Sequence, residues 1–396
     1  MAFDLKNLPL GFHEDPYPHY EKLREETPIL EQSDGPFVLS RWADLDRIYR
    51  DTQTYISDKK QVFKPKFGDS PLFEHHTTSL VFNDPPLHTQ VRSIMVGAMN
   101  PRAIAGMEAG LIARVDELLD RLKDQQTPDL IESFAGAIPI EVIGNLFDMP
   151  KEERGPLRDW SLAILGALEP TVSPENMARG NAAVLDFRAY LRDLVARRKR
   201  APGDPDTDVL TRLIFADDGA LSETQLLENC IFILNAGHET TTNLIGNGLA
   251  LLDRDRGARQ RLLTDPERVA GAVDEVLRLE SPNQFGNRLT TQAVEIAGVS
   301  IPEGRDLHLC IGAANRDPRK FENPDQMQEN RRPNKHLAFA GGPHTCVGLS
   351  LARMEGRVAI ARFLERFPSY ALAGGAQRGE RIRFRGYAKL PADLRG

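Results

Sequence analysis

Residues 339–348 read FAGGPHTCVG, and residues 349–367, LSLARMEGRVAIARFLERF, follow at once. Leu349, Ala352, Ala359, Ile360, Phe363 and Leu364 recur along one helical face of the second segment. Cys346 therefore stands between a glycine-rich turn and the start of a helix. The free N–H groups and positive dipole end of a helix N-terminus lower a thiol pKa and favour thiolate. Gly341 and Gly342 let the backbone pass close to a flat ligand. His344, two residues before the cysteine, is placed to hydrogen-bond an anionic edge of such a ligand. Taken alone, one cysteine after a turn is also what a buried structural thiol looks like. Zinc is poorly supported, because no second cysteine or Cys/His pair lies at ligand spacing.

Outward from the cysteine, other stretches combine polar residues with helical periodicity. A helix is expected from Ser222, which has capping-box spacing to Gln225, with Leu226, Leu227, Cys230, Ile231 and Leu234 on its apolar face. Within it, residues 234–242 read LNAGHETTT. A glycine and three threonines are poor helix-interior residues, which fits a kink, a small-residue contact or a functional site equally. A second helix is expected over Pro266–Leu279, stopped by Ser281-Pro282. Its EVLR puts Glu275 and Arg278 one turn apart; as a surface pair this is worth ~0.5 kcal/mol. In NDPPLHTQVR, residues 83–92, His88 and Arg92 are spaced i, i+4 and so also share a helix face. Between Arg288 and Ile311 the period changes, and VEIAGVSIPEG predicts short strands and a hairpin. Residues 315–345 form an irregular connection of a length that is usually functional.

Together these segments resemble the cytochrome P-450 family. The cysteine segment is similar to its haem-binding loop, Phe-Gly-x-Gly-x-His/Arg-x-Cys-x-Gly, through Phe339, Gly342, His344, Cys346 and Gly348. Ala340 replaces the first glycine, a change expected where φ stays negative. LNAGHETTT resembles the family's oxygen-binding stretch through Ala236, Gly237, Glu239, Thr240 and Thr241. ANRDP at 314–318 is typical of bacterial members, and the similarity runs from about residue 14 to residue 390. The resemblance implies a mainly α fold with minor β, a helix-rich single domain over residues 1–396 with small β-sheets. It implies haem b, iron protoporphyrin IX, with Cys346 as iron ligand and Phe339, Ala236 and Gly348 beside the cofactor. His88, Arg92, Arg288 and His344 would then hold the propionates, since buried carboxylates need charged partners. Thr240 and Glu239 are implied in oxygen activation, the alcohol at the oxygen and the acid in proton delivery. Glu275, Arg278 and Arg332 are implied as a buried structural triad. Ser79, Leu80, Phe82, Leu234, Phe285 and Gly286 are expected to approach substrate. KKQVFKPKF, residues 59–67, is expected as a solvated, mobile loop covering the pocket, and residues 166–180 as the join between two roofing helices.

Composition narrows the partners. With 50 Lys and Arg against 57 Asp and Glu, the net charge of −7 disfavours general nucleic-acid binding. No stretch approaches the ~18 apolar residues of a membrane span, and no signal peptide is visible. Three unclustered cysteines fit a reducing compartment, so a cytoplasmic protein is expected. The leading function is insertion of one oxygen atom from O2 into a small hydrophobic organic substrate. With no flavin or iron–sulfur segment in the sequence, electrons are expected from a ferredoxin-type iron–sulfur protein and its NAD(P)H-dependent reductase. Arg353, Arg357 and Arg102 are candidate docking cations, with Arg353 the more readily spent on an internal ion pair. A peroxide-using peroxygenase and a non-catalytic haem-binding protein are the alternatives; neither needs the Glu239–Thr240 pair.

Overall fold

A computed structural model of the chain describes residues 3–216 and 221–395. Two compact units are built from interleaved stretches. One comprises Met1–Ile56, Gly110–Ile138 and Thr240–Gly396; the other comprises Ser57–Ala109 and Pro139–Glu239. Helices carry most of the regular structure in both, and no described helix is long and apolar enough to cross a membrane.

The first unit contains a five-stranded sheet, in the order Ile29–Glu31, Phe37–Leu39, Asp306–Cys310, Phe285–Thr290, Tyr55–Ile56. Phe37–Leu39 runs parallel to Asp306–Cys310, and the remaining pairs are antiparallel. The expected hairpin joins Val294–Ile296 to Val299–Ile301. Its two-residue turn, Ala297 at φ +49° and Gly298 at φ +80°, has the positive φ at both centres that matches the twist of paired strands. Phe37, Leu39, Leu307 and Leu309 from the sheet form one core with Ile48 and Tyr49 of the helix Trp42–Arg50.

The helix after the cysteine runs Leu349–Arg366 and buries Leu351, Met354, Val358, Ile360 and Phe363. Burial of one such side chain contributes about 2 kcal/mol. Gly356 permits close helix contact: a Cβ there would lie 3.0 Å from Leu244 and 3.2 Å from Val273. The expected 266–279 helix is a short 3-10 turn, Pro266–Arg268, continued by the α-helix Val269–Leu279.

In the second unit, helices Leu157–Gly166 and Pro174–Arg200 flank the expected 166–180 join. They pack through Trp160, whose ring lies 4.8 Å from Phe187. Residues 59–67 depart from expectation. Lys60–Phe67 is a helix, not a mobile loop, because Phe63 and Phe67 are one turn apart and both bury. Their rings meet each other at 5.3 Å, Phe63 meets Phe82 at 5.0 Å, and Lys66 donates to the Glu169 carbonyl.

Helix Glu223–Arg254 is the longest described, and its sequence belongs partly to each unit. Its start is the predicted capping box: the Gln225 N–H donates to Ser222 Oγ at 3.2 Å, and the Ser222 N–H to Gln225 Oε1 at 2.9 Å.

Candidate active site

The cysteine loop is tied down by its own backbone. The Cys346 N–H donates to the Phe339 carbonyl at 3.0 Å, and the Thr345 N–H and hydroxyl both donate to the Gly342 carbonyl. Gly342 has φ +64°, and a Cβ there would lie 2.1 Å from the Tyr49 carbonyl oxygen, so only glycine fits. Ala340 corrects the expectation of negative φ: it sits at +56°. The loop needs a left-handed residue there to return its backbone toward Phe339, and alanine bears a cost of roughly 1–2 kcal/mol for it. A Cβ on Gly348 would be 4.0 Å from the Cys346 sulfur.

Cys346 is half-buried, whereas Cys230 and Cys310 are buried completely. Burial pushes the Cys310 thiol up to about 12 and raises the Cys230 thiol further. Burial thus disfavours the thiolate at both positions, and Cys346 is the accessible cysteine of the three.

Behind the loop, Glu275 and Arg278 are both fully buried. Arg278 donates to the carboxylate from Nε at 2.7 Å and Nη2 at 2.9 Å. Its remaining hydrogens go to the carbonyls of Asn315, Pro324 and Gln326 in the irregular connection. Glu275 also accepts from the Gln328 N–H, from Arg331 Nε at 3.1 Å and from Asn334 Nδ2 at 3.0 Å. Arg332 is therefore not the third member; it is exposed, and among the described residues its guanidinium donates to the Arg331 carbonyl. Two adjacent arginines cannot be told apart by spacing, and it is the first that reaches the buried carboxylate.

On the strand Phe285–Thr290, Arg288 is buried, with its guanidinium 5.0 Å from the Tyr49 ring centroid. Phe285 is a core residue and not a pocket residue. It packs edge-on to Tyr20 at 6.1 Å, in a cluster with Leu5, Phe12 and Val38. Gly286 faces Tyr49.

On the helix Glu223–Arg254, residues 226–250 are buried except Phe232, Ala236, Gly237 and Thr240. Phe232, Ala236 and Thr240 are spaced by four and share a face, so an accessible strip runs along one side of an otherwise enclosed helix. Glu239 is buried beside Thr240 in sequence. Leu234 stands two residues from both Phe232 and Ala236, on the opposite side, at 3% exposure; it does not belong to this strip. Gly237 marks a packing contact, since a Cβ there would lie 2.8 Å from Ile143, and the helix continues through it.

In the second unit, His88 is buried and Arg92 partly so, one turn apart on Leu87–Ala98. Ser79 and Leu80 are buried: the Ser79 hydroxyl donates to the His75 carbonyl, and the Leu80 N–H to Asn229 Oδ1 at 2.9 Å. Phe82 closes an aromatic group with Phe63 and His76. Sequence reasoning missed the buried pair His75–Glu228, 2.8 Å apart, because the partners are 153 positions apart.

The residues fit a haem. Within the first unit, the accessible thiol of Cys346 suits a thiolate-ligated group, and the buried Tyr49 hydroxyl, with no hydrogen-bond partner among the described residues, suits a group that bears carboxylates.

Comparison with known proteins agrees. Residues 169–376 match the family model for Cytochrome P450. The chain is 36% identical over 408 residues to cytochrome P450 107B1 of Saccharopolyspora erythraea, covering 98% of this chain and 97% of that one. It is 33% identical to the biotin biosynthesis cytochrome P450 of Bacillus subtilis over 91% of each. The solved structure of P450BioI in complex with hexadec-9Z-enoic acid ligated acyl carrier protein superposes with a TM-score of 0.90 at 32% identity, over 96% of this chain and 99% of that one. The chain belongs to the cytochrome P450 family. It is a haem-thiolate monooxygenase with haem b as cofactor, and like the family it takes small substrates and draws electrons from redox partners.

Proposed function

We propose that Cys346 is the iron ligand, that His88, Arg92, Arg288 and His344 hold the haem carboxylates, and that Thr240 and Glu239 supply protons during oxygen activation. The observation that carries this reading is that Cys346 is accessible while Cys230 and Cys310 are both fully buried. Bound haem supplies the oxygen-activating redox chemistry; the protein supplies the thiolate, the proton path and the exclusion of water. Phe339, Gly348 and Ala236 would line the cofactor. Glu239, buried one position before the accessible Thr240, suits a relay from the interior to the open strip.

The substrate is a small hydrophobic organic molecule, in keeping with the fatty-acyl ligand named for P450BioI. Ser79, Leu80, Phe82 and Gly286 remain its candidate contacts. All 396 residues act as one domain in this reading, because the two units alternate along the chain and share one helix sequence. The protein works in the cytoplasm with a ferredoxin-type iron–sulfur protein and its NAD(P)H-dependent reductase. Arg353 donates to Asp274 at 2.8 Å; Arg357 and Arg102, with Arg353, are the proposed cations that steer an acidic partner.

Thr240→Ala tests the oxygen-activation role. Haem and substrate binding should survive, while product per electron consumed falls roughly tenfold and peroxide release rises. Glu239→Gln should slow turnover on the order of a hundredfold. Wild-type coupling and rate in both variants would remove the pair from the reaction.

A further inference from the structure

Gly286 and Arg288 stand two residues apart on the strand Phe285–Thr290 and project to the same face. The space that a side chain at 286 would take on that face is filled from another element. An ideal Cβ on Gly286 would lie 2.0 Å from the hydroxyl oxygen of Tyr49. Tyr49 comes from the last turn of the helix Trp42–Arg50 and is almost wholly buried. Its ring lies under the Arg288 guanidinium, 5.0 Å away. Its backbone carbonyl and Cβ press against the cysteine loop, 2.1 Å and 3.3 Å from where Gly342 and Gly341 would carry a Cβ. One residue thus lies against both the strand that presents Arg288 and the loop that presents Cys346. Its hydroxyl, nevertheless, has no hydrogen-bond partner among the described residues. A buried hydroxyl is costly to leave unmatched, and such groups mark places where an acceptor belongs.

We infer that Tyr49 donates its hydroxyl hydrogen bond to the haem carboxylate that Arg288 pairs with, making it a further positioning residue for the cofactor. The inference rests on the reading of Arg288 as a propionate partner. Glycine at 286 is what admits the phenol to this position: any larger residue would drive the hydroxyl away. Burial pushes the phenol up to about 12, so it remains a donor at neutral pH. A carboxylate there gains a guanidinium for its charge and a neutral donor for its second oxygen, a pairing stronger than either alone.

Tyr49→Phe removes one oxygen and keeps the ring that packs on Arg288, Gly341 and Gly342. In the holoenzyme, transfer of ferric haem to excess apomyoglobin should become about tenfold faster, and the propionate bending band in the resonance Raman spectrum should shift. Gly286→Ala, which displaces the hydroxyl with tyrosine still present, should give the same two changes. Arg288→Leu, run alongside, tests the underlying reading. If Arg288→Leu sheds haem faster and Tyr49→Phe does not, the role of Tyr49 is overturned and that of Arg288 stands. If neither accelerates haem loss, both fail. Faster loss from Tyr49→Phe with an unmoved propionate band would reduce Tyr49 to packing and would also overturn the inference.

Discussion

Glu275→Ala is expected to lower the stability of the holoenzyme by about 3–5 kcal/mol, the range for removing one member of a buried ion pair. The magnitude follows from what is left behind. Arg278 has no exposed surface, and burial already lowers its pKa against the opposing pull of Glu275. Without the carboxylate its charge would be uncompensated, and Arg331, Asn334 and the Gln328 N–H would lose their acceptor as well. Those donors belong to the connection that leads into the cysteine loop, so haem retention should fall with stability. Glu275→Leu combined with Arg278→Met should recover part of the loss, because the fully buried Arg278 charge is then no longer stranded, while Arg331 still lacks its partner. Urea unfolding followed by far-ultraviolet circular dichroism measures both variants. A loss under about 1 kcal/mol for Glu275→Ala would mean that the pair behaves like an exposed one.

The second large effect is expected in acid and comes from Glu280. This carboxylate is fully buried just past the end of the helix Val269–Leu279. Burial alone would raise its pKa, but Arg385, Arg378, Arg316 and Arg254 override that and bring it from 4.5 to about 2. Arg385 donates to it at 2.8 Å and also holds the His13 and Glu14 carbonyls, so the cluster anchors the N-terminal segment. Because the folded pKa lies below the unfolded one, the stabilisation is fully present above about pH 4.5 and is lost as pH falls toward 2. The difference corresponds to about 3 kcal/mol. Glu280→Gln should therefore be less stable at neutral pH and should show a flatter decline of stability between pH 5 and 2. Parallel curves for variant and wild type would show that Glu280 does not govern the acid limb.

The parts of this site that could be read in advance are those fixed by short-range chemistry. The Ser222–Gln225 capping box, the Glu275–Arg278 turn and the positive-φ turn at Ala297-Gly298 each depend on residues a few positions apart, and each occurs where the spacing puts it. Errors arise where a distant segment decides. Phe285 looked like a pocket residue until the N-terminal Leu5 and Phe12 covered it. Lys60–Phe67 looked like a charged loop because its lysines are conspicuous, while two phenylalanines one turn apart carry the helix into an aromatic cluster. Leu234 lies on the buried side of its helix, away from Ala236, as periodicity alone indicates: 234 and 236 differ by 200°. Arg331 and Arg332 differ only in the path of the chain before Pro333. Glu280 carried one local cue, a carboxylate at a helix C-terminus where the dipole disfavours it, and such a placement implies cations nearby. Tyr49 carried none, since the space it fills is made by a glycine 237 positions away in sequence.

The central claim is that Cys346 binds the haem iron as thiolate, and the absorption spectrum of the reduced, CO-bound protein tests it most directly. The wild-type protein should show its Soret band at the long-wavelength position characteristic of thiolate ligation, and Cys346→Ala should lose that band while Cys230→Ala and Cys310→Ala keep it. An unchanged spectrum in Cys346→Ala would assign the iron to another ligand and contradict the account.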